Sequence, residues 1–333
     1  MAEATVALMH CEDYDLARVT EAVARQFDLL GGIERFVKPG DSVLLKPNFI
    51  APRSHRRFPT QTHPAVILAV ATLLKDHGAK PFVADSPAWT NAQTCARTLE
   101  LIEPLAKLGV PIRELHDPRS CRLGPEKPRV KLSGVALDAD VVINLPKFKA
   151  HQQLVTTFAI KNMFGCVGGK RKALWHFKKG DDTAAFCTLL IDIYRHIGPA
   201  LTIIDGIVAM EGQGPINGSS KPLGWLIAGV DPIACERICC HLIDLAPDEV
   251  PIVRTAGAIG FGCADLDRIE VLGDGLPEKP CPDFVMPEMA PIKFSFRQVC
   301  RSISRQIVLL AQARRSKPSE ASSAGQRRVP QSR

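Results

Sequence analysis

The chain has 333 residues, 46% hydrophobic and 23% charged, the balance of an ordinary globular protein of one or two domains. Aromatic residues make up only 6%, with two tyrosines and three tryptophans, which argues against a base-stacking surface for single-stranded nucleic acid. The net charge of +7 is uneven: ten basic residues from Lys293 to Arg333 face only Glu320, a local +9 that leaves residues 1–292 at −2 and excludes a general polyanion-binding body.

Eleven cysteines, an odd number with no C-x-x-C spacing, fit a reducing compartment, and a cytoplasmic location is expected. Cys235, Cys239 and Cys240 fall in an apolar helical pattern and read as core. The first ten residues lack the basic start of a signal peptide, and no apolar run approaches the ~18 residues a membrane span needs.

In chain order, short β-branched runs at 5–8, 42–45, 81–84, 141–145, 201–204, 225–228 and 269–272 predict strands. Several are apolar on both alternating faces, as strands covered on both sides are. Helical patterns lie between them at 15–30, 64–77, 184–196 and 232–245. For the second, Thr62 is the expected cap, Pro64 opens the first turn and Gly78 follows the end. This alternation predicts an α/β protein: three layers, a mostly parallel sheet and helices on both faces. Residues 1–290 are expected to form one domain. Residues 291–333 are expected to be a basic helical segment, 293–315, and a disordered tail.

Ligands of open α/β sheets sit beyond the carboxyl ends of strands, so polar residues there take priority. The run 42–45 leads into Lys46-Pro47-Asn48 and the run 81–84 into Asp85. The run 141–145 carries Asn144 and leads into Lys147, Lys149 and His151; the run 201–204 leads into Asp205, with Glu211 following. Asp231 stands where a cap before Pro232 belongs, and His63 competes for a capping role ahead of Pro64. The densest stretch is 156–171, where Lys161-Asn162 precede Gly165, Gly168, Gly169 and Lys170. Glycines admit backbone N–H groups to an anion and lysines supply charge. The spacing is not that of a Walker loop, and the nucleotide-triphosphatase reading is rejected. No histidine has neighbours at zinc-ligand spacing.

The strings DSVLLKPNF, QTHPAVILAVATLLKDHGAKPFVADSP, VVINLPKFKAHQ, IKNMFGCVGG, IIDGIVAMEGQGP and GVDPIACE, in order over roughly residues 4–245, resemble the family called domain of unknown function 362. Its recurrent blocks fall on Lys46, Asn48, Thr62, Asp85, Asn144, Lys147, Lys149, His151, Lys161, Asn162, Gly165, Asp205, Glu211, Gly212, Gly214 and Asp231. Many members carry a ferredoxin-like cluster domain, so the resemblance tilts the reaction class toward oxidoreductase. This chain lacks the C-x-x-C-x-x-C run, so an iron–sulfur cluster is not supported, and any electrons would come from a separate partner.

The expectation is an enzyme for a small anionic substrate, a carboxylate or phosphate. Lys147, Lys149, His151, Asp205 and Glu211 are the catalytic candidates. Lys46, Asn48, Thr62, Asp85, Asn144, Lys161, Asn162, Gly165, Gly168, Gly169 and Lys170 are the substrate-binding candidates. A divalent cation on the carboxylates is an open alternative. The rival reading is a non-catalytic binding, carrier or cofactor-assembly protein. No specific nucleic-acid partner is expected, and the basic tail offers at most a weak membrane contact.

Overall fold

The computed structural model describes residues 2–87, 90–168 and 171–293. The first part runs β1 (Ala4–His10), α1 (Leu16–Leu29), β2 (Ser42–Pro47), α2 (Pro64–Asp76), β3 (Lys80–Asp85), α3 (Ala92–Thr98), α4 (Ile102–Lys107) and β4 (Ile112–Glu114). A small hairpin follows, β5 (Pro118–Arg122) and β6 (Arg129–Ser133), then α5 (Gly134–Leu137). Next come β7 (Val141–Leu145), β8 (Lys147–His151), β9 (Val155–Thr157), α6 (Ala159–Met163), α7 (Arg171–Lys179) and α8 (Thr183–Ile197). The last part is β10 (Leu201–Glu211), β11 (Ser219–Gly229), α9 (Pro232–Leu242), α10 (Pro251–Ala258) and β12 (Ile269–Gly273).

Among the described residues, ten strands form one sheet in the order β12-β1-β11-β10-β7-β2-β3-β4, with β8 added on β10 and β9 on β8. The central pairs β10–β7, β7–β2, β2–β3 and β3–β4 are parallel, while β11 runs antiparallel to both β1 and β10. Consecutive strand residues enter opposite cores. Leu44 packs in one cluster while Val43 and Leu45 pack in the other; Val142 and Ile143 divide the same way. One core is closed by α1 to α4, the other by α6 to α10. The double-faced apolar runs of the sequence are thus strands buried on both sides, and the expected three-layer α/β architecture is the one observed.

Two expectations about strand ends change. The run 201–204 does not stop before Asp205-Gly206: β10 continues to Glu211 and pairs with β11 along its length. Gly206 is a close-approach position rather than a turn, because a Cβ there would sit 2.9 Å from the Trp225 carbonyl oxygen. The segment after Pro146 is likewise not a loop. It is β8, with Lys147 in parallel register with Asp205. A charged residue is tolerated in a buried strand because its opposite charge arrives on the neighbouring one.

The caps divide. Asp231 caps α9 as expected, accepting from the backbone N–H groups of Ile233 (2.8 Å) and Ala234 (3.1 Å), and also from Cys263 (2.8 Å). The cap of α2 is His63, not Thr62: His63 Nδ1 accepts from Ala65 N at 3.2 Å. Thr62 instead ties the chain just after β2 to the end of β7, accepting from Asn48 N and donating to the Leu145 carbonyl. Cys235, Cys239 and Cys240 are fully buried, as read from their spacing. The expected basic helix at 293–315 lies outside the described residues except for Lys293, which pairs with Asp181. Asp231→Ala removes three backbone partners at once and is expected to cost about 1–2 kcal/mol in a denaturant or thermal melt. An unchanged midpoint would mean that the α9 N-terminus is satisfied without it.

Candidate functional site

β8 sets the site. Residues two apart on a strand share a face, so Lys147, Lys149 and His151 point one way while Phe148 and Ala150 enter the core on the other. All five are buried, and Lys46 on β2 joins them: Lys46, Lys147 and Lys149 are each 1% exposed.

Two carboxylates answer two of these amines. Lys46 Nζ lies 2.8 Å from Asp85 Oδ1, and the Asp85 carboxylate also accepts from the backbone N–H groups of Phe49 and Ser86. Lys147 Nζ lies 2.8 Å from Asp205 Oδ2. Asp205 also accepts from the Tyr14 hydroxyl (2.7 Å) and the His63 backbone N–H (2.8 Å). Tyr14 in turn accepts from Lys147 at 2.7 Å and from Val208 N at 3.0 Å. Buried pairs of this kind contribute little net stability, but removing one partner typically costs ~3–5 kcal/mol.

Three asparagines hold the centre. Asn162 on α6 donates from Nδ2 to Asn144 Oδ1 (2.8 Å) and the Lys46 carbonyl (3.1 Å). Its Oδ1 accepts from Asn48 Nδ2 at 3.0 Å. Asn144 donates to the Ala159 carbonyl, fixing the start of α6. Asn48 Oδ1 accepts from Lys149 Nζ at 2.6 Å, so one amide chain links the ends of β2 and β7, α6 and β8.

Lys149 has no carboxylate. Its ammonium donates to Asn48 Oδ1, the Thr60 carbonyl (3.0 Å) and the Pro215 carbonyl (3.5 Å). Burial is the main reason its pKa falls to about 7, reinforced by Lys161 and Lys147. Lys161, partly buried, rests on the rings of Phe164 (5.2 Å) and Phe186 (5.8 Å) and has no hydrogen-bond or ion-pair partner among the described residues. Lys172, at the start of α7, donates to the Ser86 carbonyl. Burial and neighbouring amines bring both down to about 8. Burial, Lys161 and Lys149 push His151 well below the ordinary histidine value, so it stays neutral. Its Nδ1 accepts from Gln153 N. Beside Lys149, the hydroxyls of Thr60 and Thr157 are buried without a hydrogen-bond partner, and Thr157 lies opposite Lys149 in the β8–β9 register.

Lys46, Asn48, Thr62, Asp85, Asn144, Lys147, Lys149, His151, Lys161, Asn162 and Asp205 all fall in or beside this network. Glu211 does not: its carboxylate accepts from Val285 N and tethers the 280–293 segment. Gly165 serves packing, since a Cβ there would lie 2.5 Å from Lys46 Cε and 2.7 Å from Asp85 Oδ1. Gly168 is less confined, its nearest neighbour being the Leu115 carbonyl at 3.7 Å. Gly169 and Lys170 lie outside the described residues. Three contributors escaped the sequence reading. Tyr14 sits in an acidic stretch, at 12–15, away from the strand ends that take priority, Lys172 follows the basic Lys170-Arg171, and Thr157 is one hydroxyl among many. The signal for Tyr14 was its rarity, as one of two tyrosines in the chain.

The sequence pattern of the family described as domain of unknown function (DUF362) matches residues 43–241. The chain belongs to this family. Of the protein's relatives, the thylakoid-associated protein sll1697 of Synechocystis sp. (strain ATCC 27184 / PCC 6803 / Kazusa) is 36% identical over 299 residues, covering 90% of this chain and 92% of that one. Among solved structures, the lactate racemase apoprotein of Thermoanaerobacterium thermosaccharolyticum overlaps with a TM-score of 0.45 and 12% identity, over 71% of this chain and 57% of that one. No helix among the described residues is long and apolar enough to cross a membrane.

Two outcomes test this description of the site. Burial makes Lys149, Lys161 and Lys172 hold protons less tightly folded than unfolded, and it lowers Lys147 as well despite Asp205. Between about pH 7 and the unfolded value of 10.5 the unfolded chain therefore binds more protons, and their contribution to stability rises with pH. Melts of Lys149→Met are expected to rise less steeply from pH 7 to about pH 9 than those of the parent. Parallel slopes would show that Lys149 titrates in its ordinary range. Gly165→Ala is expected to cost about 1–3 kcal/mol by overpacking the Lys46–Asp85 pair, seen as a lower melting temperature. Full retention of stability would mean that the α6 end yields freely.

Proposed function

We propose that this family member is an enzyme acting on a small carboxylate- or phosphate-bearing substrate, held where Lys149, Lys161 and Lys172 converge. The observation that carries this reading is a charge imbalance. Lys46, Lys147 and Lys149 are buried together, with the partly buried Lys161 and Lys172 close enough to affect their neighbours, and the two carboxylates hydrogen-bonded there are already shared with Lys46 and Lys147. An unpaired ammonium in a low-dielectric interior is costly, so it either loses its proton or gains an anion. The unsatisfied hydroxyls of Thr60 and Thr157 supply further donors for such an anion.

The same imbalance provides a base. With a pKa of about 7, Lys149 is substantially neutral at physiological pH. Its lone pair takes a proton from the bound acid, Lys149 becomes the ammonium, and the electron pair left on the substrate is stabilised by Lys161 and the amide of Asn48. Asp205 and Tyr14 fix the neighbouring Lys147, and neutral His151 borders the region. Proton transfer is the chemistry these side chains supply on their own. A reducing, cytoplasmic setting suits the buried free thiols.

Thermal melts with inorganic phosphate, pyrophosphate and malonate, against sodium chloride at equal ionic strength, test the reading. At least one anion is expected to raise the midpoint of the parent, by up to about 2.7 kcal/mol of stability at a hundredfold excess over Kd. The double variant Lys149→Ala/Lys161→Ala should still melt cooperatively and lose that response. A response equal to sodium chloride, or one undiminished in the variant, would refute the anion site. Deuterium uptake from heavy water into the methylene of malonate, followed by NMR and compared with the protein-free rate, separates an enzyme from a carrier.

A further inference from the structure

A cleft of about 510 Å³ touches the network at Tyr14, His63 and Lys147 and extends away from Lys149 under the 55–59 segment. Its size is that of a small-molecule site. Its lining contains no aspartate or glutamate.

The charged groups that line it, Lys147, Arg56 and Arg57, are all cations. Lys147 uses two of its three N–H groups, on Tyr14 Oη and Asp205 Oδ2, which leaves one. His63 Nδ1 accepts from Ala65 N, so the neutral ring carries its proton on Nε2. Burial lowers the His63 pKa to about 3, which keeps that tautomer neutral. His55 Nδ1 is buried with no partner. Arg56 is taken by Glu100, with contacts of 3.1 and 2.7 Å. Arg57 is exposed, and its guanidinium has no ion-pair partner among the described residues. The charges of Lys147 and Arg56 are therefore answered, and Arg57 leaves one positive charge at the rim.

The rest of the lining is flat or apolar. The rings of Tyr14 and His63 stack with centroids 3.5 Å apart and a 15° interplanar angle. His55 meets His63 edge-on at 4.9 Å. Phe58 is 39% exposed, with the Arg53 guanidinium 4.7 Å from its ring centroid, and Val208 also lines the cleft.

We infer that this cleft is a second ligand site, for a small molecule that joins one phosphate or carboxylate to a ring-sized apolar body. The anion meets Arg57 and the free N–H of Lys147, and the body lies against Phe58 and the histidine rings. This site uses different side chains from the Lys149 region and stands or falls separately from it.

Phenyl phosphate and benzoate are the probes, with benzyl alcohol as the uncharged control, and the histidine ring signals of the full chain are read by NMR. One or both anions are expected to shift the His55 and His63 resonances saturably, the stronger binder naming the anion preferred. Benzyl alcohol should bind about tenfold more weakly or not at all, as should either probe to Arg57→Ala, the loss of one charge-assisted contact. Lys161→Ala should bind the probe as the parent does. The inference is overturned if neither anion shifts those rings, if Arg57→Ala binds unchanged, or if Lys161→Ala alone abolishes binding. In the last case the probe occupies the Lys149 region, and the proposed function survives without the second site.

Discussion

Positive charge in excess of its counter-charge, held in a buried rim of the sheet, is the constraint around which this molecule is arranged. Asp85 divides its two oxygens among Lys46 and two backbone N–H groups; Asp205 divides its own among Lys147, Tyr14 and the His63 N–H. Each carboxylate accepts three hydrogen bonds, only one of them from an amine. The remaining acceptors are neutral: the amide of Asn48 and the carbonyls of Thr60 and Pro215 around Lys149, and two aromatic faces beneath Lys161. Neutral dipoles orient an ammonium but return only part of its lost hydration. Burial, incompletely offset by these dipoles, brings Lys149 to about 7 and Lys161 and Lys172 to about 8.

The fold makes the crowding possible by bringing four chain segments to one edge. β2, β3 and β7 are parallel neighbours, so Lys46, Asp85 and Asn144 arrive at the same end of the sheet. β8 then departs from that end and pairs with the outer half of β10, which runs past the point where its neighbour β7 stops. The extra length of β10 is therefore not decoration on the sheet. It creates the ledge on which Lys147 finds Asp205 and Lys149 is carried over the amide cluster. Asn162 closes the arrangement from α6, and Gly165 lets the end of that helix come down on the Lys46–Asp85 pair.

Much of this was legible in the sequence because the apolar runs marked the strands and polar residues next to them marked the rim. Lys46, Asn48, Asp85 and Asn144 follow from that logic alone. The K-x-K-x-H spacing of Lys147, Lys149 and His151 also carried a period of two, the signature of a strand face, but the flanking proline and the density of charge disguised it as a loop. Charge in a strand is legible only when its partner is known, and Asp205 lies 58 residues away in the chain. Glu211 shows the opposite failure. It stands close to Asp205 in sequence and was grouped with it, yet the carboxylate is consumed by the backbone of Val285. Tyr14 and Lys172 were hidden because nothing local distinguishes a solvated polar residue from one that the tertiary fold turns inward.

A static anion holder and a catalyst place different demands on the same amines, and this difference favours the catalytic reading. A protein that only stores an anion gains most from amines that stay protonated, which neighbouring carboxylates would ensure. Here the carboxylates are paired with Lys46 and Lys147, and of the three amines left without one, Lys149 is the residue that burial brings lowest, to about 7. At that value both protonation states are populated at neutral pH, so a proton can leave a bound acid and return without a large energetic step. An anion bound beside it would raise the pKa again, which on the proposed reading would strengthen Lys149 as a base when a substrate arrives. On the proposed reading, the uneven distribution of two carboxylates among five lysines separates residues that anchor from a residue that exchanges protons.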